Sequence, residues 1–303
     1  TGLTAGTYTC TITDANACTS ARSFTITQPA ALSTTPSSTN VACNGGSNGA
    51  ASVAVTGGTS PYTYLWSNGG TTSSKTGLTA GTYTCTITDN NSCISSRSFT
   101  ITEPTAISTT PTSTNVACNG GNTGAASVAI SGGTLPYTYL WSNGGTTASK
   151  TGLAAGTYTC TITDDNACTS SHTFTITEAT AIAETTATTD VDCNGNNNGS
   201  ATVSIAGGTL PYTVTWQSGA TGAVQTSLTA GTYGYSITDG NGCLKTGSAI
   251  IGQPSTLVAA ITSTAVLCHG DNNGTLDASA TGGIAPYSYT WNHTTDISSS
   301  LSD

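Results

Sequence analysis

The sequence predicts an all-β protein: a tandem array of antiparallel β-sandwich domains with a 75-residue period. Two observations carry the prediction. The first is the repeat itself. Trp66, Trp141, Trp216 and Trp291 are each 75 residues apart, as are Cys43, Cys118, Cys193 and Cys268, and likewise Cys18, Cys93, Cys168 and Cys243. Residues 31–105 and 106–180 are identical at 60 of 75 positions without a gap. A fixed period of this length marks one fold used again and again. The second is the local pattern. Apolar and polar residues alternate, Gly, Pro, Asn or Asp interrupt them about every 8–12 residues, and helical periodicity is absent.

The frame gives residues 1–30 as the second part of a repeat, full repeats at 31–105, 106–180 and 181–255, and residues 256–303 as the first part of another. Both ends fall inside a repeat, so the natural chain is expected to be longer.

Within residues 31–105 each element has a local cause. The stretch before Cys43 contains Pro36 and reads as an edge-like first strand. Gly49 to Thr56 alternates small and β-branched residues and ends at a Gly57-Gly58 turn. Pro61 opens a third strand in which Tyr62, Tyr64 and Trp66 share one face. Asn68-Gly69 supplies a hairpin-type turn, and a short strand follows around Ser73 to Leu78. After Ala80-Gly81, Tyr83, Cys85 and Ile87 face inward, with Thr82, Thr84, Thr86 and Thr88 outward. Asp89-Asn90-Asn91 turns the chain by side-chain-to-backbone bonding. The last strand runs from Cys93 to Thr102, with Phe99 and Ile101 expected on opposite parities, resolved by a local twist or a bulge. Six or seven short strands with a core Trp on the third is the pattern of an immunoglobulin-like sandwich. The core prediction is Tyr62 and Trp66, with Tyr137 and Trp141, Tyr212 and Trp216, and Tyr287 and Trp291.

Composition narrows the function. Five Lys or Arg stand against 14 Asp or Glu, for a net charge of −9. No basic patch exists to attract phosphate, which argues against nucleic acid as a partner. No run of 18 apolar residues is present, so this segment is not expected to insert in a membrane. His172, His269 and His293 do not recur at one repeat position, and no nucleophile motif appears, so no catalytic residue and no enzyme is predicted. A 75-residue unit has a marginal core and is expected to need staples. The cysteines, at fixed spacings and without a CxxC, suggest disulfides in an oxidising compartment rather than zinc.

Several strings carry a family likeness: Cys-Asn-Gly-Gly-Ser-Asn-Gly at 43–49, Thr-Gly-Gly-Thr-Ser-Pro-Tyr-Thr-Tyr-Leu-Trp-Ser-Asn-Gly at 56–69, Leu-Thr-Ala-Gly-Thr-Tyr at 78–83 and Thr-Asp-Asn-Asn-Ser-Cys at 88–93. They resemble the SprB repeat, found in very large surface adhesins of gliding bacteria exported by the type IX route. The Trp strand is also similar to sandwich domains of the polycystic-kidney-disease type. The resemblance implies an extracellular, filamentous adhesin on a bacterial cell surface, without catalytic residues. Cys10, Cys85 and Cys160 depart from the family pattern, which has an aliphatic residue there.

Residue 235, where the repeat would place a fourth member of that class, is Tyr. This cysteine is therefore dispensable and reads as a small core hydrophobe. A Cys85–Cys93 bond is out of reach, because Cys93 is expected opposite Thr88. The remaining classes are Cys43, Cys118, Cys193 and Cys268, and Cys18, Cys93, Cys168 and Cys243. They are expected to pair either within a repeat, as Cys43–Cys93, or across a junction, as Cys43–Cys168.

Asp89 with Asn91, repeated as Asp14/Asn16, Asp164/Asn166 and Asp239/Asn241, offers the weak calcium candidates. One carboxylate per turn is thin for a cation wanting six to eight oxygens, so a turn is the simpler reading and no cofactor is expected. Lys75 and Lys150 suit an isopeptide bond, but Gln225 holds that position in the third repeat. Asn90, Asn198, Asn273 and Asn292 begin glycosylation triplets that do not recur at one position.

The expectation is a rod segment of an extracellular filament or cell-surface adhesin, with repeat number setting reach. Its partners would be the neighbouring repeats, other copies in a filament, or surface polysaccharide. The alternative is a repeated ligand-binding array for carbohydrate or ice. Connectors such as Thr102 to Thr114 contain Pro104 and Pro111 and no glycine, so the joints are expected to be stiff.

Overall fold

The computed structural model describes residues 2–292 and 299–302. His293, and with it Thr294 of the triplet that begins at Asn292, lies outside the described residues. Every regular element among the described residues is a strand. The chain opens with the hairpin β1 (Gly6–Thr13) and β2 (Thr19–Ile26).

The repeat at 31–105 supplies β3 (Ser33–Thr39), β4 (Gly49–Thr56), β5 (Thr63–Trp66), β6 (Ser74–Leu78), β7 (Gly81–Thr88) and β8 (Ile94–Ile101). They form two antiparallel three-stranded sheets, β3-β4-β6 and β5-β7-β8. Next come β9 (Ser108–Thr114), β10 (Gly124–Ser131), β11 (Thr138–Trp141), β12 (Ser149–Leu153), β13 (Gly156–Thr163) and β14 (Thr169–Ile176). Then follow β15 (Ala183–Thr189), β16 (Gly199–Ala206), β17 (Thr213–Trp216), β18 (Val224–Leu228), β19 (Gly231–Thr238) and β20 (Leu244–Ile251). The strand order recurs in both: 9-10-12 with 11-13-14, and 15-16-18 with 17-19-20. Last are β21 (Val258–Thr264), β22 (Thr275–Thr281) and β23 (Ser300–Ser302), in one sheet. Six strands split three and three, with the Trp on the third, make an immunoglobulin-like sandwich.

The residues gather into two compact units, the boundary crossing the repeat at 106–180. One comprises Thr1–Thr112, Ser127–Ser149 and Tyr158–Phe174. The other comprises Ser113–Ala126, Lys150–Thr157 and Thr175–Asp303.

In the first unit, Val41, Ala51, Val53, Trp66, Leu78, Cys85, Ile87, Phe99 and Ile101 form one buried cluster. The Trp66 ring packs 5.2 Å from Phe99, and its indole N–H donates to the Thr72 carbonyl at 2.9 Å. Tyr62 is half-buried: its ring packs on the core while its hydroxyl donates to the Gly57 carbonyl at 2.7 Å. That bond holds the Gly57-Gly58 turn, where Gly57 has φ 67° and a Cβ would collide with the Ala31 carbonyl. Tyr83 makes a tyrosine corner, donating to the Thr79 carbonyl four residues upstream at 3.1 Å. Tyr8 and Tyr233 repeat it at 2.9 Å.

Two expectations are corrected. Phe99 and Ile101 lie two residues apart, so a regular strand puts both on one face, and both are buried without a bulge. Cys93 is not opposite Thr88. Thr88 pairs with Ile94, Cys85 pairs with Arg97, and the Cys93 carbonyl accepts from the Asp89 amide.

The second unit holds a differently filled core, with Val191, Val203, Val214, Trp216, Tyr235 and Ile237 among its members. Tyr235 stands where the first unit has Cys85, and its paired residue is Gly247, where the first unit has Arg97. A Cβ on Gly247 would sit 2.5 Å from the Tyr235 hydroxyl. Ala249 replaces Phe99, and the Tyr235 ring takes over the contact with the core Trp, 5.1 Å from Trp216. Its hydroxyl is paired with Thr186 Oγ1 at 2.6 Å. One aromatic has moved from the last strand to its neighbour, and the repeat has kept an aromatic ring against its core Trp.

Candidate functional site

The recurring feature with chemistry of its own is the junction between successive repeats. It is built from a loop, a connector and a turn. The loop after β3 carries Cys43-Asn44-Gly45. It is clamped to the end of its own repeat: Glu103 accepts from the Gly45 amide at 2.6 Å and from Asn44 Nδ2 at 3.2 Å, and Asn44 Nδ2 also reaches the Pro104 carbonyl at 3.1 Å. The clamp recurs with Glu178, which accepts from Gly120 at 2.7 Å and Asn119 at 3.0 Å. Gln253 fills that role against Gly195 at 3.1 Å. The loop therefore sits where the chain leaves the repeat.

The turn comes from the following repeat, between β13 and β14. Asp164 organises it: Oδ1 accepts from the amides of Asn166 at 3.0 Å and Cys168 at 2.8 Å, and Oδ2 from Thr134 at 2.9 Å. Asp89 and Asp239 bond in the same way to their own turns. The Thr59 amide leads the donors that hold the Asp89 carboxyl below its ordinary range, against a smaller opposing effect of burial. Burial pushes Asp239 upward, and the amides of Cys243, Thr209 and Asn241 outweigh it, leaving that carboxyl low as well.

Loop and turn meet in a disulfide. Cys43 bonds Cys168 with Cα atoms 5.6 Å apart, and Cys118 bonds Cys243 at 5.5 Å. Both sequence separations are 125 residues. A hydrogen bond accompanies each: Asn166 Nδ2 donates to the Ala42 carbonyl at 3.1 Å, and Asn241 Nδ2 to the Ala117 carbonyl at 3.0 Å. The two pairings open in the sequence are thus decided for the cross-junction bond at both places. Cys18, Cys93, Cys193 and Cys268 are unpaired and exposed in this chain. Cys85 and Cys160 are buried thiols, and burial pushes both pKa values up, which keeps them protonated and inert. Cys10 is exposed on β1. Beside Cys43–Cys168 lies an open cleft of about 400 Å³, lined by Pro104, Ile107, Gly133 and Asp164 among others.

The other candidate residues fall as follows. Trp66, Trp141 and Trp216 are buried, while Tyr137 and Tyr212 are half-buried like Tyr62, with hydroxyls on the Gly132 and Gly207 carbonyls. Tyr287 is exposed and Trp291 half-buried. Asp14 turns its chain in the same manner, its Oδ1 accepting from Asn16 and Cys18. Asn91 and Asn241 use their amides as donors, to Thr59 Oγ1 at 2.9 Å and Thr209 Oγ1 at 3.0 Å. Among the described residues no group of three or more His, Cys, Asp or Glu could hold a metal. Lys75 donates to the Gly69 carbonyl at 2.9 Å. Sequence reasoning missed the Glu103 clamp and the Asn166 bond. Their signal was the recurrence of Glu or Gln at 103, 178 and 253 and of Asn at 91, 166 and 241.

The family model described as the SprB repeat matches residues 35–71, 110–146, 185–221 and 260–295. The chain carries four SprB repeats. The first three matches span the first strand to the turn after the core Trp, so the Cys43-class loop lies inside the SprB model and the Cys168-class turn outside it. No curated protein matches the chain. Solved structures resemble the array only loosely. The N-terminal eight Ig domains of DSCAM isoform 1.30.30 are 12% identical with a TM-score of 0.31, over 94% of this chain and 55% of that one. The chain thus spans little more than half of that structure. The amphioxus IgVJ-C2 molecule is 17% identical with a TM-score of 0.21, over 40% and 90%. The immunoglobulin-like assignment rests on the strand order described above.

Proposed function

We propose that this chain is a structural segment of a long extracellular adhesin or filament, in which each 75-residue SprB repeat is a folding domain and repeat number sets reach. The observation that carries it is the disulfide between successive repeats, made twice with the same 125-residue separation. A bond of that kind joins neighbours covalently and belongs in an oxidising space outside the cytoplasm. The SprB likeness points to a bacterial surface and to export by the type IX route. Near-identical copies would each have to carry the same chemistry if the array were catalytic, and no histidine recurs at one repeat position, so a non-enzymatic role is the reading.

The second reading is a repeated binding array for carbohydrate or ice. Outward hydroxyl ladders favour it: Thr9 meets Ser23 at 2.9 Å and Thr159 meets Thr173 at 3.0 Å. Those hydroxyls bond to one another across the strands, which suits a soluble, uncharged face equally well. Trp66, Trp141 and Trp216, being buried, offer no platform for a sugar.

Small-angle scattering of the 303-residue chain tests the first reading. An extended particle of roughly 150 Å is expected, from repeats of about 35–40 Å. A compact globule would sink it. Saturable binding to ice or to a glycan array would favour the second.

A further inference from the structure

The two disulfides overlap in the sequence. Cys118 lies inside the span closed by Cys43–Cys168, and Cys168 lies inside the span closed by Cys118–Cys243. We propose that the overlap interlocks the array into a tension member, whose greatest extension is fixed by disulfides and not by the unfolding of its sandwiches. The function rests on the structural reading above; the lock itself does not.

The lock follows from the covalent routes through the chain. With both bonds closed, the shortest path from residue 1 to residue 303 runs to Cys43, crosses to Cys168, returns along the chain to Cys118, crosses to Cys243 and continues to the end. That is about 150 residue steps against about 300 for the open chain, and at about 3.5 Å per step the lock withholds on the order of 500 Å. In an array continuing the same 125-residue separation, the load would cross two repeats on only the segment from Cys168 to Cys193. Most of that segment is the strands β14 and β15, already extended. The sequence between Cys118 and Cys168, with β10 to β13, would be held off the load path. Such an array would yield almost no length even with every sandwich melted.

Pulling the 303-residue chain by enzymatically ligated end handles, in guanidinium chloride so that no folded domain resists, reads the route directly. The oxidised chain is expected to lengthen by about 500 Å when a reductant is added. Bonds confined to single repeats would withhold a similar total, so two variants decide. Cys118→Ser is expected to lengthen the oxidised chain by about 25 steps, near 90 Å, and Cys93→Ser to leave it unchanged. Gains of about 175 Å in both would show within-repeat bonds and overturn the proposal, as would an unmodified chain indifferent to reductant. A non-reducing peptide map of the unmodified chain gives the connectivity where a variant fails to oxidise: Cys43–Cys168 supports the lock, and Cys43–Cys93 refutes it. A compact particle in scattering together with a locked contour would remove the rod and leave the lock standing.

Discussion

Tyr235 explains what the third cysteine of each repeat does. In the first unit Cys85 is fully buried in the cluster that holds Trp66 and Phe99. In the third repeat Tyr235, Gly247 and Ala249 replace the small, large and aromatic residues of Cys85, Arg97 and Phe99. The class is a packing position, filled in concert with its cross-strand neighbours. The sequence showed that the cysteine is dispensable. It did not show the compensation, because that needs the β19–β20 register, in which 235 faces 247. Tyr235→Cys alone is expected to cost about 3 kcal/mol, since the ring leaves a cavity that Gly247 and Ala249 cannot fill. Adding Gly247→Arg and Ala249→Phe is expected to restore most of it. Hydrogen exchange of the β19 amides checks both. A single change as harmless as the triple would show that the site collapses freely.

At the scale of elements, the strands and turns were legible where side-chain chemistry fixes the backbone. Gly57-Gly58, Pro61 and Asp89 each marked a boundary that the structure keeps, because positive φ, a missing N–H and a carboxylate acceptor act locally. The bulge expected near Phe99 came from miscounting a period of two, and the tyrosine corner went unread because its acceptor is a backbone carbonyl. The Asp turns carry a pH dependence with a definite sign. Asp89 and Asp239 have folded pKa values below the unfolded value of about 3.9. Their contribution is therefore fully present above about pH 5, declines as pH falls through about 4, and is lost below the folded pKa. Asp89→Asn cannot accept from the Thr59 amide through nitrogen, so it is expected to destabilise the turn at neutral pH. The gap between wild type and variant in guanidinium midpoint should then narrow below about pH 4. A gap that widens in acid would contradict the assignment.

For the whole molecule, the period, the fold class and the need for staples could be read from the sequence, but the connectivity could not. Pairing across a junction depends on which end of a repeat holds the Cys43 loop, and that is decided by the Glu103 clamp, a contact between residues 58 apart. The two clusters centred on Trp66 and on Trp216 each lie within one repeat, so the fold of a sandwich does not require the bond that joins it to the next. The bonds act instead on the unfolded chain. Each closes a span of 125 residues, worth up to about 5 kcal/mol by loop entropy, and overlapping loops do not add in full. Reduction is thus expected to leave the far-ultraviolet circular dichroism of the strands unchanged at room temperature while lowering the melting temperature. In the oxidised chain, repeats tied to their neighbours should melt together. In the reduced chain they should melt in separable steps, each governed by its own core and its contact with the next. Calorimetry with and without reductant measures this. Loss of strand signal on reduction at room temperature would mean that the 75-residue core cannot stand without its staple, and an unchanged melting profile would mean that the junction bonds bear no load in stability.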